Sequence, residues 1–148
     1  MTTRRRTILL AEDETLLAGL IQTALTERGY SVSCAKTGQE AVGMAILLRP
    51  DLILMDLHMP GGTGLDALKK LQTTGNHEVA RIPVLILTGD ATQDNVLAAG
   101  MFGAAGFLSK NNLDMDELAR RVEQALSRKA GTPVPGAPLP SETGFGSA

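Results

Sequence analysis

The chain has 148 residues, enough for one domain with its own hydrophobic core and too few for two ordinary ones. Hydrophobic residues make up 43% and charged residues 20%, and a formal net charge of −2 leaves no basic face for a phosphate backbone, which argues against nucleic acid as a direct partner. The apolar run Ile8 to Ala11 follows Arg4, Arg5 and Arg6 but meets Glu12 and Asp13 before a signal-peptide core is complete, and no stretch reaches transmembrane length, so a cytoplasmic protein with no membrane partner is expected.

Residues 1–6 read as an N-terminal tail. Thr7–Ala11 is then the first strand, and Leu17, Leu20, Ile21, Ala24 and Leu25 recur at helical spacing up to a stop at Gly29. Ser31–Ala35 is a second strand; it contains Cys34, the lone cysteine, which cannot close an internal disulfide and reads as a small buried hydrophobe of a reducing compartment. A helix over Gly38–Leu48 ends before Pro50, because the residue preceding proline is pushed out of the helical region. Leu52–Met55 is a third strand, followed by a helix over Leu65–Leu71 that ends near Gly75, with His77 in a polar connector. Val84–Leu87 is a fourth strand, Thr92–Ala99 a helix closed by glycines, and Gly106–Leu108 a fifth strand. Leu118, Val122, Ala125 and Leu126 stripe a last helix, which Asp114 and Glu117 open as a cap pairing.

Three of the strands are continuously apolar, as strands covered on both faces must be. Five strand–helix units in about 120 residues therefore predict an α/β fold: a doubly wound five-stranded parallel sheet with helices on both faces, here assigned the flavodoxin-like order 2-1-3-4-5 common to that class. The domain is expected over residues 7–129. From Ala130 onward prolines and glycines replace any periodicity, so residues 130–148 read as a disordered tail or linker.

Open parallel sheets carry their functional residues at the carboxyl ends of the strands. Strand one ends in Glu12 and Asp13, strand three in Asp56, strand four in Thr88, and strand five runs through Ser109 to Lys110. Three carboxylates, a hydroxyl and an ammonium would converge on one rim. Clustered carboxylates repel unless a cation neutralises them, and Mg²⁺, which takes one or two protein carboxylates and accepts phosphoryl oxygens, suits such a site. The chemistry implied is phosphoryl transfer to a carboxylate.

These residues lie in motifs that closely resemble those of bacterial response-regulator receivers, across roughly residues 7 to 129. Leu9-Leu-Ala-Glu-Asp-Glu14 resembles the acidic pair after the first strand, and Leu54-Met-Asp-Leu-His-Met-Pro60 with Gly64 resembles the phosphoacceptor loop. Ile82-Pro-Val-Leu-Ile-Leu-Thr88 and Gly103-Ala-Ala-Gly-Phe-Leu-Ser-Lys110 resemble the strands bearing the hydroxyl and the aromatic–lysine pair. The resemblance implies Asp56 as phosphoacceptor, Asp13, Asp56 and the backbone carbonyl of His58 as Mg²⁺ ligands, and Glu12 acting through a metal-bound water. Thr88 and Lys110 would hold phosphoryl oxygens. Movement of Thr88 would let Phe107 turn inward, altering the surface of the 92–99 helix, the fifth strand and the last helix, where the family binds partners or dimerises. It also implies a histidine kinase or histidine phosphotransfer protein as donor, an unidentified output partner or output domain, and no enzymatic role beyond slow self-phosphorylation from small donors and self-dephosphorylation.

Two departures stand out. The family lysine is commonly followed by a proline with a cis peptide bond; here Asn111 follows, for which a cis bond would cost about 3 kcal/mol, so either the loop is strained or Lys110 is placed differently. Phe107 stands where tyrosine is commoner, leaving ring packing alone to read the switch. Readings from other classes fare worse. A phosphorylation-independent interaction module on the same fold could lose site residues, yet all are present. An aspartyl-phosphate hydrolase calls for a general acid two residues past the nucleophile, where His58 stands, and an FMN site would be repelled by Glu12, Asp13 and Glu14.

Overall fold

The computed structural model describes residues 5–59, 64–89, 100–111 and 113–127. The expected helix over 92–99, the tail over 130–148, residues 1–4 and Pro60 of the phosphoacceptor-like motif lie outside them. Chain order is β1 (Thr7–Ala11), α1 (Thr15–Glu27), β2 (Ser31–Ala35), α2 (Gly38–Leu48), β3 (Leu52–Asp56), α3 (Gly64–Gln72), α4 (His77–Ala80), β4 (Val84–Thr88), β5 (Gly106–Ser109) and α5 (Met115–Ser127). All pairings are parallel and the sheet order is β2-β1-β3-β4-β5, as expected.

The sheet separates two cores, because successive strand residues point to opposite faces. Leu9, Ala11, Ile53 and Met55 face one cluster with Ala41 and Ala45 of α2 and Ala67, Leu68 and Leu71 of α3. Ile8, Leu10, Leu52 and Leu54 face the other, with Ile21 and Leu25 of α1 and Leu118, Val122 and Ala125 of α5. Each fully buried Leu or Ile contributes about 1.5–3 kcal/mol, so the central strands β1 and β3 carry much of the stability.

Helix boundaries follow local chemistry. Thr37 caps α2, its side chain accepting from Glu40 N at 3.0 Å, and Arg49 closes that helix in the left-handed region at φ 48°. Gly29, at φ 97°, ends α1 as expected. Asp114 caps α5 by accepting from Asp116 N at 2.9 Å, whereas Glu117 pairs with Arg120 on the helix surface.

Three sequence expectations need correction. Leu20, placed on the buried stripe of α1, is 57% exposed: the covered face is Ile21, Ala24 and Leu25. Cys34 is only partly buried, because β2 is an edge strand. The polar connector after α3 forms the short helix α4, nucleated by Asn76, whose side chain accepts from Glu78 N at 3.0 Å and Val79 N at 3.2 Å, and anchored by buried Val79.

At the amino end of the sheet, Asp51 ties β3 to β1. Its Oδ2 accepts from Thr7 N at 2.8 Å and from Thr7 Oγ1 at 3.2 Å, and its own amide donates to Thr7 O at 2.8 Å.

Candidate functional site

The sheet order puts the carboxyl ends of β1 and β3 side by side, and the acids that end those strands meet there. Glu12 continues the β1–β2 pairing by donating its amide to Ala35 O at 3.0 Å, which turns its side chain inward, 1% exposed; Asp13 stays exposed. Asp56, the last residue of β3, is 2% exposed. One carboxylate oxygen each from Glu12, Asp13 and Asp56 lies within 4.8 Å of the others.

From β5, Lys110 reaches into this cluster. Its Nζ is 2.9 Å from Asp56 Oδ2 and 2.9 Å from Glu12 Oε1, and it donates to Glu12 Oε2 at 3.1 Å. Burial alone would lower the Lys110 pKa, but hydrogen bonds to Asp56 and Glu12, with their charges, outweigh it and hold the ammonium above the ordinary lysine value. Burial pushes the Glu12 carboxyl up from the ordinary carboxylate range; hydrogen bonds from Lys110 and the Glu14 amide oppose this, and the charge of Asp56 adds to it. Among the described residues, one ammonium is thus set against a cluster of three carboxylates and pairs with two of them.

The remaining oxygens are only partly engaged. Asp56 Oδ1 accepts from His58 N at 3.1 Å, and Glu12 Oε2 from Glu14 N at 3.0 Å. Glu12 Oε1 is buried, and Lys110, though close, is not aligned to donate to it, so this oxygen receives no hydrogen bond from the described residues. A buried, unsatisfied oxygen beside two further carboxylates is what a hydrated, oxygen-seeking divalent cation would complete, and the residues present therefore fit Mg²⁺.

Other expected residues share the rim. Thr88 is fully buried at the end of β4, opposite Ser109, and its carbonyl accepts from Lys110 N at 2.8 Å. Phe107 is half-buried and packs on the α2–α3 core. The His58 side chain is exposed. No peptide bond among the described residues is cis, so Lys110–Asn111 is trans and Lys110 still reaches both acids.

Two residues named in the sequence contribute in ways that it did not disclose. A Cβ on Gly64 would lie 2.3 Å from Asp56 O and 2.8 Å from Leu57 Cα, so only glycine lets the start of α3 close on the end of β3, where Gly64 N donates to Leu57 O at 2.9 Å. The motif contained Gly64, but a lone glycine does not disclose what it approaches. Asn111 donates through its carboxamide to Gly89 O at 3.3 Å and through its backbone to Ser109 Oγ at 3.1 Å. A polar residue in a loop carries no signal of such a tie.

The chain resembles known proteins over most of its length. The family described as the response regulator receiver domain matches residues 8–123. The transcriptional regulatory protein PdtaR of Mycobacterium tuberculosis is 37% identical over 124 residues, covering 83% of this chain and 58% of PdtaR. The Francisella response regulator 1452 receiver domain superimposes with a TM-score of 0.76 at 28% identity, over 84% of this chain and 98% of that one. The receiver domain of the sensor histidine kinase PA1611 of Pseudomonas aeruginosa, solved with a magnesium ion in its active-site cleft, gives a TM-score of 0.76 at 28% identity, over 84% and 100%. The chain spans between 25% and 58% of the length of several curated relatives that it matches.

Proposed function

Since the chain belongs to the response regulator receiver domain family, we propose that it is a signalling switch which accepts a phosphoryl group on Asp56 from a phosphohistidine donor, a histidine kinase or a phosphotransfer protein. The observation that carries this reading is the buried Asp56 carboxylate at the end of β3, with Lys110 Nζ at 2.9 Å and two further acids beside it. A carboxylate oxygen of Asp56 attacks phosphorus, the bond from phosphorus to the histidine nitrogen breaks, and the imidazole leaves with a proton from solvent. Slow hydrolysis of the resulting acyl phosphate returns the carboxylate.

Asp13, Asp56 and the His58 carbonyl would hold Mg²⁺, with Glu12 acting through one of its waters. When bound, the ion neutralises charge on the transferred group. Lys110 supplies a fixed ammonium to one phosphoryl oxygen and Thr88 a hydroxyl to another. Phe107, half-buried on the α2–α3 core, would turn inward when Thr88 moves, and this would change the surface of residues 92–99, β5 and α5 offered to an output partner, an output domain or a second copy. Residues 7–129 form the receiver unit in this reading and 130–148 a tail or linker. Among the described residues no helix is long and apolar enough to cross a membrane, which fits the cytoplasmic setting of such a switch.

The test is incubation of the protein with acetyl phosphate and Mg²⁺, followed by intact-mass spectrometry. One phosphoryl group is expected on the wild type and none on Asp56→Ala. Equal labelling of the two proteins overturns the assignment.

A further inference from the structure

The two residues proposed to grip the phosphoryl group, Thr88 and Lys110, end different strands, so their spacing depends on how the exits of β4 and β5 are held together. The ladder itself stops at Lys110 N donating to Thr88 O, at 2.8 Å. Beyond it a side chain continues the pairing. Asn111 Nδ2 donates to Gly89 O at 3.3 Å, one residue past Thr88, while Asn111 N donates back to Ser109 Oγ at 3.1 Å. Gly89 lies against the Lys110 stem, where an added Cβ would be 4.0 Å from Lys110 Cδ.

We infer that Asn111 is a positioning residue, which clasps the exit of β4 to the exit of β5 and thereby fixes the separation of Thr88 and Lys110 for phosphoryl transfer. The inference rests on the function proposed above. The clasp acts through two distinct donors on one residue: the carboxamide holds the β4 exit, and the backbone N–H, which a proline could not supply, holds the β5 exit. Asn111 meets Gly89 and Ser109 rather than the acids, so its loss reaches the carboxylates only through Lys110 and falls chiefly on the grip on the phosphoryl group. Small displacements of groups that must meet one phosphoryl oxygen each are costly in rate, because geometry is most of what such a site supplies.

The experiment uses the whole chain, with acetyl phosphate as donor and Mg²⁺ alone as the metal probe. Asn111→Ala is expected to lower the maximal phosphorylation rate at saturating donor by roughly tenfold, to leave Mg²⁺ affinity within about twofold, and to shift the amide resonances of Gly89 and Lys110 in the metal-free protein. Asn111→Asp, which keeps the shape but cannot donate to Gly89 O, is expected to be slow as well. Wild-type rates in either variant, or a loss of Mg²⁺ affinity as large as the loss of rate, overturn the inference while the labelled wild type keeps the receiver function intact. A wild type that takes no phosphoryl group at all overturns the receiver function, and this inference with it.

Discussion

Asp51 and Asp56 sit at opposite ends of one strand, and their surroundings differ in kind. Among the contacts of Asp51 are an amide and a hydroxyl from Thr7, neutral donors that join β3 to β1. Asp56 is met, among the described residues, by two other acids and one ammonium, an arrangement short of positive charge. Asp51 ties two strands together, whereas Asp56, proposed above to serve chemistry, sits among carboxylates that a cation from outside would balance.

The comparison breaks first at Asp56. Asp56→Asn should abolish labelling by acetyl phosphate and yet raise metal-free stability by about 1 kcal/mol, since one of three clustered charges is gone. Urea denaturation reads this, and a loss of stability would mean that the Lys110 pair outweighs the repulsion. Next, Asp13→Ala should weaken Mg²⁺ binding by roughly tenfold and by more than Glu12→Ala does, because Glu12 is already engaged by Lys110. Calorimetric titration giving the reverse order would reassign the direct ligand. Gly64→Ala, which forces a Cβ into the Asp56 carbonyl, should cost about 2 kcal/mol and slow labelling. Asp51→Ala should cost about 1 kcal/mol with the labelling rate unchanged, and a slowed rate would mean that the amino end of β3 is felt at the other end of the strand.

The smallest effect is one of pH. Burial raises the Glu12 pKa in the folded chain above its unfolded value, so folded Glu12 binds its proton first as pH falls, and its contribution to stability rises on acidification from neutral and levels off below the unfolded carboxylate value. Subtracting the denaturation profile of Glu12→Gln from that of the metal-free wild type isolates this slope. A difference of opposite sign would mean that Lys110 dominates Glu12.

Much of this could be read without coordinates, for identifiable reasons. Strands β1, β3 and β4 announced themselves because both faces are covered, and Glu12, Asp13, Asp56, Thr88 and Lys110 did so because each lies just past an apolar run or at its end. What stayed hidden depends on approach in space. Asn76 nucleates α4 only because Val79 finds a buried seat, Gly64 matters only because α3 starts against the Asp56 backbone, and Leu20 shares the period of its neighbours but falls at the edge of the covered face.

The sheet that places the acids is also a partition. Ile53 and Met55 belong to one core, Leu52 and Leu54 to the other, and no side chain of β3 serves both. Truncations such as Leu71→Ala on one side and Leu118→Ala on the other should therefore be independent of each other. Each layer is free to drift in sequence without consulting its neighbour, and the strands between them are the shared inheritance that neither layer can revise alone.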